Sequence, residues 1–162
     1  MTEIYASNLQ LGLEYQDYVF EQLRGMDGMP IFLGAYASRK YQNNKGESPS
    51  GLEIKYDRRF RETGNLYIET AEKSEAALEN YTSSGIMRAD NTWLYLIGDY
   101  QEAFIFAKNL LRALCVKSNR EIEYKETPTS QGYVFPLEYV NRKCLCAKHI
   151  KFSMNKRGMR EC

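Results

Sequence analysis

With 162 residues, 43% hydrophobic and 27% charged, the chain has material for one globular domain with its own core and little to spare for a second. A formal net charge of +1 argues against a uniformly basic nucleic-acid-coating protein, and no apolar run approaches the roughly 20 residues that span a bilayer, so no membrane partner is expected. The opening MTEIYASNLQ has neither a basic start nor an apolar centre, which excludes a signal peptide and leads to the expectation of a cytoplasmic protein.

In chain order, Leu9, Leu13, Phe20 and Leu23 recur at helical spacing behind a capping Asn8 and predict a first helix to about Arg24, with Glu14, Asp17 and Glu21 as a separate acidic stripe. Gly25 and Gly28 end it, and MPIFLGAYAS reads as extended. RKYQNNKGESPS, residues 39–50, is a polar loop of turn formers. GLEIKYD and LYIETAEK then read as strands joined by RRFRETGN, whose turn falls at Gly64-Asn65. SEAALENYTSSGIMRADN is a loop with one helical turn. TWLYLI and AFIFA are buried strands around a hairpin at Gly98-Asp99-Tyr100, with Trp93 as core filler. Leu110, Leu111 and Leu114 mark a short helix from Lys108 to Val116, and a last strand is expected within residues 132–140.

The chemistry concentrates between Gly51 and Lys73. Alternate residues of a strand share a face, so Glu53, Lys55 and Asp57 lie opposite Leu52, Ile54 and Tyr56, and Glu69 lies with Tyr67, Ala71 and Lys73. If the two strands pair, three carboxylates and one or two ammonium groups converge, a cluster that repels itself unless a hard cation such as Mg²⁺ neutralises it. An ordinary half-buried strand with cross-strand ion pairs shows the same alternation.

An acid on a Gly-led strand, a connection, and a hydrophobic strand delivering Glu69 resemble the PD-(D/E)XK nuclease superfamily, whose signature is an acid, a spacer and then E-x-K, and within it the small phage or prophage-type members. The resemblance covers roughly Leu11 to Leu114, and it departs at Ala71, where E-x-K requires lysine; Lys73 or Lys55 would take that part. It implies an α/β (α+β) fold, a restriction-endonuclease-like mixed β-sheet flanked by helices in a single domain over residues 1–140, followed by a basic C-terminal tail at 141–162. It further implies a Mg²⁺- or Mn²⁺-dependent endonuclease acting on DNA, with Asp57 and Glu69 as metal ligands together with Glu53 and Glu14. Asp57 and Glu53 stay open as the first-strand ligand, and Lys55 and Lys73 as the catalytic lysine. Arg58, Arg59 and Arg61, with Arg39, Lys40 and Gln42 of the preceding loop, would contact the nucleic acid. A homodimer would supply two coordinated cuts.

Two other classes stay open: a nucleic-acid-binding or phage regulatory protein that keeps the fold without catalysis, as the missing lysine at Ala71 suggests, and an interaction subunit using its Tyr-rich surface. Seven Lys or Arg follow Val140 (Arg142, Lys143, Lys148, Lys151, Lys156, Arg157, Arg160) against Glu161 alone, an asymmetry suited to a phosphate grip away from an acidic site. Cys144, Cys146 and His149 lie close in sequence, but a closed zinc site needs four ligands, so reduced thiols are the expectation for all four cysteines.

Overall fold

Tyr15, Val19 and Leu23 form an i, i+4 ladder with Phe20 beside it, and this stripe is what the first helix, α1 (Glu3–Arg24), buries. Leu13, expected in the core, stays 37% exposed, and Asn8 lies within the helix instead of capping it. The computed structural model describes residues 3–24, 26, 42, 45–116 and 119–152, so the extended reading of 29–38 falls outside the described residues.

The fold is mixed α and β. Four strands, β1 (Leu52–Tyr56), β4 (Leu94–Gly98), β5 (Glu102–Ala107) and β8 (Lys148–Lys151), make the first sheet in the order β1-β4-β5-β8, with β1 parallel to β4 and the other pairs antiparallel. β2 (Asn65–Glu72), β3 (Thr82–Ser83), β6 (Glu123–Glu126) and β7 (Ser130–Pro136) make the second, antiparallel sheet in the order β3-β2-β7-β6. Short helices α2 (Phe60–Thr63), α3 (Lys108–Leu114) and α4 (Leu137–Arg142) and a 3₁₀ turn at Gly85–Met87 complete the described elements.

Strand parity sorts these into layers. Leu52 and Ile54 of β1, with Leu96, Ala103, Ile105 and Ile150, face α1 in one core. Tyr95, Ile97, Phe104 and Phe106 point the other way and pack with Leu66, Ile68, Tyr133 and Phe135 of the second sheet in a second core. Glu53 and Lys55 therefore belong to the side of β1 away from α1, where the two sheets meet.

The mixed sheet expected from sequence is present, but β1 and β2 do not pair. β1 has β4 on its inner side, and the side chains of Glu47 and Ser48 occupy its outer N–H groups. β2 instead buries Leu66 and Ile68 beside Phe135 and Tyr133 of β7, its register partners. Trp93 is 60% exposed instead of filling the core: it precedes β4, its Nε1 donates to Ser50 O at 2.7 Å, and its ring lies against Gly51. A Cβ at Gly51, whose φ is +71°, would stand 2.5 Å from Trp93 Cδ1, so only glycine fits this entry to β1. The sequence after Val140 is part of the fold as far as Phe152, because β8 pairs with β5 and buries Ile150 and Phe152. A tail starting at residue 141 is thus corrected, while residues 153–162 lie outside the described residues.

The approach to β4 is held by a buried ion cluster. Asp90 accepts from Lys108 Nζ at 2.7 Å and Arg88 Nε at 2.6 Å, its side chain is fully enclosed, and Lys108 is 2% exposed. Burial alone would raise the Asp90 carboxyl, but the hydrogen bonds from Lys108 and Arg88 prevail and bring it down to about 2. An acid whose folded value is depressed stabilises the fold above its unfolded value near 4 and loses that contribution as pH falls through about 2. Asp90→Ala should cost about 3–5 kcal/mol at pH 7, since it leaves Lys108 charged and enclosed without its partner. Urea denaturation of wild type and variant at pH 7 and pH 2 checks both statements, with the difference expected to shrink at the lower pH.

Candidate functional site

The site grows from the outer edge of β1. An edge strand leaves alternate N–H groups unpaired, and here the loop before it supplies side-chain acceptors. Ser48 Oγ accepts from Leu52 N at 3.0 Å and donates to Leu52 O at 2.9 Å, and Glu47 Oε2 accepts from Ile54 N at 3.0 Å. Gln16 of α1, 6% exposed, donates from Nε2 to the same Glu47 oxygen at 3.1 Å. Glu47 is thereby fixed by helix and strand together.

Glu53 sits inward of this edge with 0% of its side chain exposed. Its Oε1 is 3.2 Å from Lys55 Nζ, and among the described residues neither carboxylate oxygen has a hydrogen-bond partner. Two more enclosed polar atoms nearby are also unpartnered, Tyr95 Oη and Arg88 Nη2. Tyr95 is the register partner of Glu53 on β4, and the charges of Glu53 and Glu47 both act on Arg88. Lys55 is a third exposed and lines two cavities. The larger, about 730 Å³, lies among α1, Glu47, Glu72, Thr82 and Arg88, and the smaller, about 430 Å³, among Tyr67, Glu69, Tyr95 and Val134.

The charges are unevenly matched. Burial would lower Lys55, but Glu53, Glu47 and Glu69 outweigh it and hold the ammonium well above its ordinary value. Burial pushes the Glu47 carboxyl up, Lys55 opposes this, and Glu53 adds to the rise. Glu72 is raised by burial and then by Glu69. Lys55 and Arg88 thus act together on a group of carboxylates that includes Glu47, Glu53 and Glu72.

Among the residues expected from sequence, Glu53 and Lys55 form the centre and Glu69 lines the smaller cavity, anchored by Ser84 Oγ at 2.7 Å and Ser130 Oγ at 3.3 Å. Asp57 serves the chain turn: Oδ1 accepts from Arg59 N at 3.0 Å and Oδ2 from Tyr67 N at 3.1 Å, tying the end of β1 to the start of β2. Lys73 Nζ donates to Leu78 O at 2.7 Å, lies over the Tyr81 ring and borders neither cavity. Glu14 is exposed and accepts from Gln10, while Gln16, two positions on, is the α1 residue that reaches the site. Arg58 borders both cavities and Arg59 the smaller one. Arg61 is bound to Asp99 and Glu102. Gln42 borders the larger cavity, and Arg39 and Lys40 lie outside the described residues.

The sequence reading missed Glu47, Gln16, Arg88 and Tyr95. A signal was available for the first: Glu53-Ile54-Lys55 is itself an acid-x-lysine triplet, and Glu47 stands six residues before it. Among the described residues, no group of three or more His, Cys, Asp or Glu side chains is placed to hold a metal ion. No protein-family model matches the chain, and neither curated proteins nor solved structures provide a match.

Two outcomes follow from these contacts. Glu47 has a folded value above its unfolded one, so its ionised form weighs against the fold once pH rises above about 4.5. Glu47→Gln should raise the melting temperature in metal-free buffer at pH 8, and the gain should vanish near pH 4, as read by thermal denaturation across pH. Asp57→Ala should cost about 1–2 kcal/mol in urea denaturation through two lost backbone hydrogen bonds.

Proposed function

We propose that the chain is a Mg²⁺- or Mn²⁺-dependent nuclease that hydrolyses phosphodiester bonds of DNA, with its centre at Glu47, Glu53 and Lys55. The observation that carries this reading is the fully enclosed Glu53 carboxylate, both of whose oxygens lack hydrogen bonds among the described residues while the Lys55 ammonium stands 3.2 Å away. A carboxylate without hydrogen bonds in a protein interior is costly, and it is tolerated where a cation is to occupy its lone pairs. Glu53 and Glu47 fit Mg²⁺, which is commonly held by one or two carboxylates plus substrate phosphate. When bound, the ion supplies Lewis-acid charge to a phosphoryl oxygen and acidifies water.

The remaining work belongs to the protein. Lys55 stays protonated at neutral pH because of the carboxylates around it, so it acts as a fixed positive charge on the reacting phosphate and not as a base. Arg88 borders the larger cavity with its Nε fixed by Asp90, and its guanidinium adds positive charge beside the Glu47 carboxylate. Gln16 and the Ile54 N–H hold the Glu47 carboxylate in one orientation. Arg58, bordering both cavities, is suited to a neighbouring phosphate. This reading places the protein in a bacterial or phage cytoplasm.

Nicking of supercoiled plasmid tests it. Wild type should cut in Mg²⁺ and not in EDTA, and Glu53→Gln and Lys55→Ala should each lower the rate by at least ~10²-fold. Mg²⁺ should raise the melting temperature of wild type and leave that of Glu53→Gln unmoved. DNA binding without cutting under any divalent ion would instead mark the inactive binding protein.

A further inference from the structure

The smaller cavity shares Lys55 and Arg58 with the larger one, but the rest of its lining differs. Leu66, Ile97 and Val134 give it apolar walls, Tyr67 an aromatic one, and Lys55, Arg58, Arg59 and Lys125 border it with positive charge against the carboxylates of Asp57 and Glu69. The Tyr67 ring is held in place by a 2.8 Å hydrogen bond between its hydroxyl and Ser130 Oγ. Tyr95 is wholly buried, borders this cavity, and keeps a hydroxyl without a partner. At about 430 Å³ the space falls in the range of small-ligand sites. It adjoins the larger cavity at Lys55, Tyr56 and Arg58, which border both.

An apolar slot with one aromatic wall and an excess of positive charge on its lining matches a nucleobase carried on a phosphate backbone. We infer that the smaller cavity receives one base of the strand whose phosphate lies at Lys55, so that the preferred substrate is a strand with unstacked bases, single-stranded or distorted, and not intact duplex. The identification of the ligand as nucleic acid rests on the nuclease reading above. The pocket itself rests on its own lining. A base stacked in duplex cannot enter such a slot without being extruded, which costs unstacking energy that a single strand does not have to meet.

Binding measured without cleavage tests this. In EDTA, the anisotropy of a dye-labelled short thymidine oligomer is compared with that of an abasic deoxyribose-phosphate chain of the same length. Wild type should favour the base-bearing strand by roughly ten- to a hundredfold, the range of base stacking on an aromatic wall. Val134 lies on the cavity side of β7, away from the buried core, so Val134→Trp should fill the slot, abolish the preference and leave abasic-chain affinity unchanged. Tyr67→Leu, which removes the aromatic wall, should weaken the preference severalfold even if the Trp variant does not fold. Equal wild-type affinity for both strands, or an undiminished preference in both variants, would overturn the inference. Cleavage is not read here: a protein that nicks plasmid yet ignores bases sinks the pocket alone, whereas one that selects bases but never cuts supports the pocket and sinks the nuclease.

Discussion

Burying Glu53 is the constraint around which the rest is arranged. A carboxylate enclosed on the inter-sheet side of β1 without hydrogen bonds is unfavourable by several kcal/mol unless charge compensates it. Lys55 can compensate because it is two residues away on the same strand face, and it can stay charged because Glu47 and Glu69 add their fields. The parity that sends Leu52 and Ile54 into the α1 core leaves Glu53 no other direction. The same alternation that builds the core therefore loads the site.

Both layers of the protein contribute. The first sheet brings Glu53, Lys55 and Tyr95, the second brings Tyr67 and Glu69, and α1 brings Gln16. Asp57 links the sheets at one end of this arrangement, and the Asp90, Arg88 and Lys108 cluster braces its other flank. Arg112 adds hydrogen bonds to the carbonyls of Ile86 and Arg88, so the Arg88 backbone is held as firmly as its guanidinium. A site assembled from several elements keeps its geometry only while each packs on the next.

What the sequence disclosed follows the same physics. β1, β4, β5 and α3 were legible because their apolar residues repeat with period two or with helical spacing over enough positions to exceed chance. β6 was hidden because all four of its residues are exposed, and β8 because only Ile150 is buried in it. Such strands exist through pairing with a partner, which a local pattern does not contain. The partner of β2 was misjudged for the same reason. In the candidate site, Glu53 and Lys55 were legible as charged residues on a strand face, whereas Asp57 and Lys73, singled out on the same ground, are engaged by backbone groups. Glu47 lies among turn formers, Tyr95 inside an apolar run and Arg88 in a loop, and nothing in their neighbours' types distinguishes them from ordinary loop and core residues.

The side-chain covering of the β1 edge also decides what kind of molecule can dock there. An exposed edge is an invitation to strand addition, in which a peptide or a second copy borrows the free backbone donors. Here the N–H groups of Leu52 and Ile54 are already engaged by Ser48 and Glu47, side chains too short to leave space for an incoming backbone. Strand addition at these two positions of β1 would first have to displace both side chains, so the loop that orients Glu47 also covers the edge on which it stands.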